Sequence, residues 1–206
     1  SAEVNFTTDA HLLAPATAAP VPTWPADQVK SLYSDTYSFA PTTLNSYNEC
    51  WWDCPNMAEG DVDGNHYLNY DLYRNGMIGV QFTDLSVATM EKIHIDIWAS
   101  VAGSVTFRPI TAGGPNNPQT LNLLAQQWNS FDLEMSAFPG HDWSALYQYA
   151  IEAYGAGGLV GEHICVDNVY LYRETPLADD EDPTNVTGSV SKANFYSVQL
   201  SVSAED

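Results

Sequence analysis

Residues 93–99 read Ile-His-Ile-Asp-Ile-Trp-Ala. Side chains alternate between the two faces of a strand, so His94, Asp96 and Trp98 share one face and Ile93, Ile95 and Ile97 the other. The isoleucines mark the core side. In residues 76–82, Gly-Met-Ile-Gly-Val-Gln-Phe, Gln81 points away from Ile78, Val80 and Phe82. In residues 104–110, Ser-Val-Thr-Phe-Arg-Pro-Ile, Thr106 and Arg108 point away from Val105, Phe107 and Pro109. If these strands are neighbours, one outer face gathers Gln81, His94, Asp96, Trp98 and Arg108. An indole ringed by bidentate polar groups suits a sugar, which has apolar C–H faces and a rim of hydroxyls. The plainer reading is an ordinary exposed face with one ion pair, Asp96–Arg108.

A second candidate is Asn-Glu-Cys-Trp-Trp-Asp-Cys-Pro-Asn, residues 48–56. Cys50 and Cys54 are close enough to pair, and a pair fixes the Trp51–Trp52 tip. A rigid loop loses less entropy on binding, so one indole can offer a flat face to a sugar ring, with Asn48, Asp53 and Asn56 as hydroxyl partners. The bland alternative is that the tryptophans plug one end of the fold with the disulfide as a staple. Cys165, in an apolar run, reads as a buried small hydrophobe.

Carboxylates supply a third. In His-Ile-Cys-Val-Asp-Asn-Val-Tyr-Leu-Tyr-Arg, residues 163–173, strict alternation puts Asp167 on one face with Cys165, Val169 and Leu171. If that is the core side, an unpaired carboxylate there is costly. A cation or a ring of backbone N–H groups would relieve the cost. Asp35 ends the first predicted strand, and first and last strands of a sandwich often lie side by side, so Asp35 and Asp167 are expected to share a Ca²⁺. Capping of separate turns is the alternative. Asp61–Asn65, Asp-Val-Asp-Gly-Asn, opens like a calcium loop, but Leu72 stands where the closing acid belongs, so it reads as a turn.

The elements that must carry these residues are strands. Short alternating runs fall near 29–34, 66–70, 77–83, 92–99, 104–110, 119–124, 127–135 and 163–173, with Gly, Pro, Asn and Asp between them. Residues 142–153 fit either a helical turn or another strand. This pattern predicts an all-β fold, a β-sandwich of jelly-roll type with two antiparallel sheets, and Ile95, Ile97, Val105, Phe107, Phe131 and Val169 in its core. Residues 14–25 are rich in Ala and Pro, so 1–27 reads as a linker or N-terminal extension. Residues 28–174 form the predicted sandwich. Residues 175–206 read as an acidic linker with one further strand around Tyr196–Val202. Linkers at both ends predict neighbouring modules of the same polypeptide.

Composition narrows the function. The chain has 206 residues, with 6 Lys+Arg against 26 Asp+Glu and a net charge of −20. Such a chain repels phosphate backbones and anionic lipid, which argues against nucleic acid as a partner. No apolar run approaches membrane-spanning length, so membrane insertion is not expected. The acidity and the cysteine pair suit a secreted or cell-surface setting. Asn5 and Asn185 open glycosylation sequons that carry little weight alone.

The runs Leu-Tyr-Ser-Asp-Thr-Tyr-Ser (32–38), Ile-His-Ile-Asp-Ile-Trp-Ala (93–99), Gln-Trp-Asn-Ser-Phe-Asp-Leu-Glu-Met-Ser-Ala-Phe (127–138) and Cys-Val-Asp-Asn-Val-Tyr-Leu-Tyr-Arg (165–173) follow in that order. Together they resemble the β-jelly-roll carbohydrate-binding modules appended to secreted bacterial family-16-type glucanases and glycan-utilisation proteins. The resemblance covers the central block. It implies a polysaccharide or oligosaccharide ligand such as a β-glucan, a role in glycan degradation, and a structural Ca²⁺ carried over only to Asp35 and Asp167. Family-16 glycosidases themselves place Glu-x-Asp-x-(x)-Glu on one strand. Here His94 stands at the first Glu and Trp98 or Ala99 at the last, so the catalytic pair is missing and no enzyme activity is expected. Asp132 and Glu134 share an outer face and read as solvated. The expected function is a non-catalytic carbohydrate-binding module. A spacer or adhesion domain without a glycan ligand is the runner-up, and a glycoside hydrolase or lyase ranks below both.

Overall fold

The structure is a computed structural model that describes residues 13–41, 43–50, 54–72, 76–155 and 157–175. The sequon at Asn5, the C-terminal strand around Tyr196 and the sequon at Asn185 lie outside them. No helix among the described residues is long and apolar enough to cross a membrane.

The described residues form two antiparallel sheets, as the alternation predicts. The strands are β1 (Val29–Tyr33), β2 (Leu44–Ser46), β3 (Asn56–Val62), β4 (Asn65–Asp71), β5 (Met77–Leu85), β6 (Lys92–Ala99), β7 (Gly103–Thr111), β8 (Gln119–Leu123), β9 (Trp128–Glu134), β10 (Leu146–Glu152) and β11 (His163–Tyr172). The six-stranded sheet runs β3-β4-β11-β6-β9, with β1 on the second half of β11. The five-stranded sheet runs β2-β5-β10-β7-β8. Residues 142–153 thus resolve to a central strand, β10, paired on both sides. Asp61–Asn65 is the β3–β4 hairpin turn, with Asp63 at φ 54° and Gly64 at φ 84°. Positive φ at both central residues matches the right-handed twist of the strands.

Between the sheets lies one apolar core. Ile95, Ile97, Val105, Phe107 and Val169 are fully buried in it, and Phe131 packs against it half-exposed. Strict alternation fails in β11. Asn168 takes φ 49° and the register with β6 shifts between Asp167 and Tyr170. A bulge inserts one unpaired residue and inverts the phase beyond it. Ile164 and Val166 face the core before it, Val169 and Leu171 after it. Cys165 is therefore not on the core side with Val169 and Leu171. It faces outward, in a separate cluster with Tyr67 and Trp98.

Candidate functional site

The two sheets leave two outer faces. On the six-stranded sheet, Asp96 pairs across from Asp167 and Ser130, His94 from Tyr170 and Asp132, and Trp98 from Cys165 and Trp128. The Ala- and Pro-rich residues expected to be a linker lie over this face. Trp128 Nε1 donates to the Thr17 carbonyl at 2.8 Å, and the Ala19 N–H donates to Asn65 Oδ1 at 3.0 Å. Asn168 Nδ2 donates to the Pro20 carbonyl at 2.9 Å, and the Tyr37 hydroxyl to the Trp24 carbonyl at 2.8 Å. Trp24 stacks on Tyr172 with ring centroids 4.6 Å apart. Side chains of the sheet thus satisfy the backbone of a segment that Pro15, Pro20, Pro22 and Pro25 make a poor strand.

Trp98 is consequently 2% exposed, packed with Tyr67, Cys165, Trp128 and Ala14. It has no face to offer a sugar, which corrects the expectation that it is a binding platform. Asp96 is buried as well. It accepts from Asn168 Nδ2 at 2.9 Å and lies 3.4 Å from His94 Nε2. The other imidazole nitrogen meets Asp132 at 2.8 Å. Burial works against a charge on His94, but bonds to Asp132 and Asp96 outweigh it and hold the imidazole up at about 9. The His94 bond in turn lowers Asp132. Burial pushes Asp167 up to about 6, with Asp96 and Asp35 adding repulsion and Asn65 and the Asn168 N–H opposing it. Burial also pushes the Cys165 thiol up.

Asp35 and Asp167 do come together, bridged by Asn65. Its Nδ2 donates to Asp35 Oδ2 at 3.2 Å and to Asp167 Oδ2 at 3.0 Å. Its Oδ1 is held by the Ala19 N–H, which fixes the amide in that sense. An N–H donor, not an oxygen ligand, therefore stands between the carboxylates. Among the described residues no group of three or more His, Cys, Asp or Glu is placed to hold a metal ion. A Ca²⁺ shared by the two carboxylates would need an oxygen where Asn65 now places its N–H.

Gln81 and Arg108 lie elsewhere. β5 and β7 belong to the five-stranded sheet and β6 to the other. The five residues predicted to share a face are therefore split, and an Asp96–Arg108 ion pair does not form. Alternation assigns a face but not a sheet partner, which is why the grouping failed. On the outer face of the five-stranded sheet Gln81 sits across from Gln148 of β10. Arg108 Nη2 pairs with Glu152 at 2.8 Å, and Nη1 donates to Asn116 at 3.3 Å. Thr83, Thr120 and Asn122 are exposed beside them. Gln148 and Glu152 were missed because residues 142–153 had no settled assignment.

The Cys50–Cys54 disulfide is formed, with Cα atoms 5.7 Å apart. Trp51, Trp52 and Asp53 lie outside the described residues. The base of their loop is tied to β5. The Glu49 N–H donates to the Gly79 carbonyl at 2.7 Å, and Asn48 Nδ2 to the Pro55 carbonyl at 2.6 Å. A Cβ on Gly79 would come within 1.7 Å of the Glu49 carbonyl oxygen. Only glycine lets the loop close over β5 there. The base of the disulfide loop thus lies beside Gln81 and Gln148, so parts of two sites read separately from the sequence become neighbours.

No protein-family model and no curated protein matches this sequence. Among solved structures, the chain is similar to a family 11 carbohydrate-binding module from Clostridium thermocellum in complex with a β-1,3-1,4-mixed-linked tetrasaccharide. The identity is 17%, over 71% of this chain and 96% of that one, with a TM-score of 0.46. It is also similar to a family 30 carbohydrate-binding module of a cellulosomal cellulase of Clostridium thermocellum (10% identity, 72% and 99% covered, TM-score 0.48). An exo-β-agarase matches over 71% of this chain and 25% of its own, at 10% identity and a TM-score of 0.49.

Proposed function

We propose that this domain is a non-catalytic carbohydrate-binding module that holds a polysaccharide on the outer face of its five-stranded sheet. One observation carries the reading. On this face the base of the disulfide-closed loop that bears Trp51 and Trp52 closes over Gly79, and Gln81 and the Arg108–Glu152 pair lie on the same sheet face. Amide, guanidinium and carboxylate groups are planar and bidentate, so each can exchange paired hydrogen bonds with adjacent sugar hydroxyls. The proposal gives the tryptophans of that loop the apolar contact with the C–H side of a ring. A β-glucan is the proposed ligand. The proposed setting is a larger secreted or cell-surface glycan-degrading protein, of the kind that carries family-16-type glucanases, with further modules on the same polypeptide. The disulfide and the net charge of −20 are at home outside the cell.

Affinity electrophoresis through gels containing β-glucans and other polysaccharides tests this. Retardation that is lost in Arg108→Ala and Gln81→Ala, with melting unchanged, supports the sheet-face site. A folded protein that no glycan retards is the spacer domain instead.

A further inference from the structure

Residues 14–24 lie on the six-stranded sheet without joining it. Among the described residues no main-chain ladder links them to a strand. Side chains of the sheet reach the segment's main chain instead. Trp128, Asn168 and Tyr37 donate to the carbonyls of Thr17, Pro20 and Trp24, and Asn65 accepts the Ala19 N–H. The face therefore asks for three carbonyls and one N–H. An ordinary peptide brings an N–H at every residue, and each one buried needs an acceptor. Proline brings none, and its ring fixes φ in advance. A proline-rich chain suits such a face, provided that position 19 keeps its N–H. Here that residue is alanine, and prolines stand at 15, 20, 22 and 25.

Size and charge narrow the chemistry further. Pro15 is buried and Ala19 is 5% exposed, so both positions favour compact side chains, while Val21 points out at 77%. Trp24 adds an aromatic anchor on Tyr172. Asp35, Asp63 and Asp132 border the segment, and His94 beside it is already paired with Asp96 and Asp132. Residues 13–25 carry no charge. An acidic chain there would meet like charges.

We propose that this face is a docking surface for uncharged Ala- and Pro-rich peptide. Residues 14–24 are its resident occupant, and a segment of the same chemistry on another polypeptide binds in their place. Recognition through main-chain carbonyls, with a few anchors for specificity, is the way that aromatic-lined surfaces take proline-rich ligands. This surface is distinct from the five-stranded face proposed for the glycan.

The test begins with the whole chain. A protease site inserted between Pro25 and Ala26 lets the folded, disulfide-intact protein be cut with no residue lost. A dye-labelled synthetic peptide of residues 13–25 is then added and followed by fluorescence anisotropy. The cut segment should exchange for the peptide, and binding should saturate. Ala19→Pro in the peptide, which removes the one N–H used, should weaken it at least tenfold. Trp24→Ala in the peptide and Trp128→Phe in the protein should each weaken it about three- to tenfold. Val21→Ala should bind as the parent does. A peptide of residues 176–187, which contains prolines but is acidic, should not compete. A soluble β-glucan oligosaccharide should leave the peptide in place. The proposal is overturned if the cut segment never exchanges, or if it leaves and millimolar peptide does not bind. It is overturned equally if the domain unfolds on losing the segment and the peptide does not restore it, if the Ala19→Pro or acidic peptide binds as well as the parent, or if β-glucan displaces the peptide.

Discussion

The two outer faces of this sandwich are built from similar materials and are covered by different parts of the chain, residues 13–25 on one and the loop around Glu49 on part of the other. Each carries carboxylates, amides and a basic side chain. On the six-stranded sheet those groups are turned to the chain's own residues 13–25. Trp24 stacks on Tyr172, Trp128 and Asn168 donate to carbonyls, and Asn65 accepts from an N–H. These are the contacts an extended ligand would make. On the five-stranded sheet the corresponding groups bind one another, as in Arg108–Glu152, and the disulfide loop borders them. A cluster of aromatic and acidic side chains is a ligand surface only where the chain has not already filled it.

Removing residues 1–25 should break this comparison most severely. Four hydrogen bonds at ~1 kcal/mol each and one stacked aromatic pair at ~1 kcal/mol sum to roughly 5 kcal/mol. That is a large share of a domain's stability, and it corresponds to a fall of about 10–20 °C in melting temperature for a domain of this size. Cys165 should become reactive towards thiol reagents at the same time. A truncated protein that melts like the parent, with Cys165 still protected, would show that the segment is the linker its composition suggests.

That composition explains what was legible in the sequence and what was not. Ile95, Ile97, Val105 and Phe107 announce their side by alternation, because one face of each strand must meet the core. Alternation says nothing about which strands are neighbours, so β6 was grouped with β5 and β7 across the sandwich. It also fails at a bulge, and Asn168 gives no local warning beyond being a residue that tolerates positive φ. Residues 14–25 have neither period nor strand propensity. Their place is set by donors on distant strands, Asn65, Trp128 and Asn168, and no local pattern encodes that. β3 escaped for a related reason, since it is an edge strand with largely exposed side chains and no alternation to read.

Trp98→Ala sharpens the contrast next. A fully buried indole should cost about 3–5 kcal/mol on truncation, read by chemical denaturation. The protein that remains folded should bind β-glucan as tightly as the parent. Lost affinity with preserved stability would return the sugar to the six-stranded sheet.

The buried acid of the covered face predicts a pH dependence. Asp167 is pushed up from 3.8 to about 6 in the folded state. Between those values the folded protein keeps a proton that the unfolded chain releases. Its contribution is therefore fully present below about pH 4 and is lost as pH rises through about 6. The loss is roughly 2–3 kcal/mol. His94, held up at about 9, stays protonated across this window, and its contribution is lost only on passing that higher pH. Asp132 and Asp35 are lowered and act the other way at the acid end. The difference between the parent and Asp167→Asn isolates the term. Urea midpoints from pH 4 to 6.5 should fall more steeply for the parent, and parallel curves would mean that Asp167 is ionised throughout.

On the face of the five-stranded sheet the expected effects are smaller. Arg108→Ala should weaken β-glucan binding about tenfold, or ~1.4 kcal/mol, with little change in melting, and Trp51→Ala with Trp52→Ala should do the same. If the loop variant unfolds the domain instead, the indoles are structural plugs and the sheet face binds alone.

The smallest effect concerns calcium, and Asn65 sets its terms. A Ca²⁺ shared by Asp35 and Asp167 remains a proposal that needs oxygen ligands between the two carboxylates. Asn65 puts its Nδ2 there, and the Ala19 N–H holds the amide in that sense. Turning the amide round would give a cation one oxygen while breaking that bond and facing two N–H donors together. Exchange of EDTA for millimolar Ca²⁺ should therefore move the parent's melting temperature by less than about 1 °C, because a ligand stabilises only as ln(1 + [L]/Kd). Asn65→Asp replaces the bridging donor with a third carboxylate. That variant should melt lower than the parent in EDTA, from like-charge repulsion, and should recover as the logarithm of free Ca²⁺. A parent that already shows the logarithmic rise would mean that the amide yields to the ion and that Asp35 and Asp167 do hold calcium. A variant that never responds would mean that the covered face excludes the cation whatever stands at position 65.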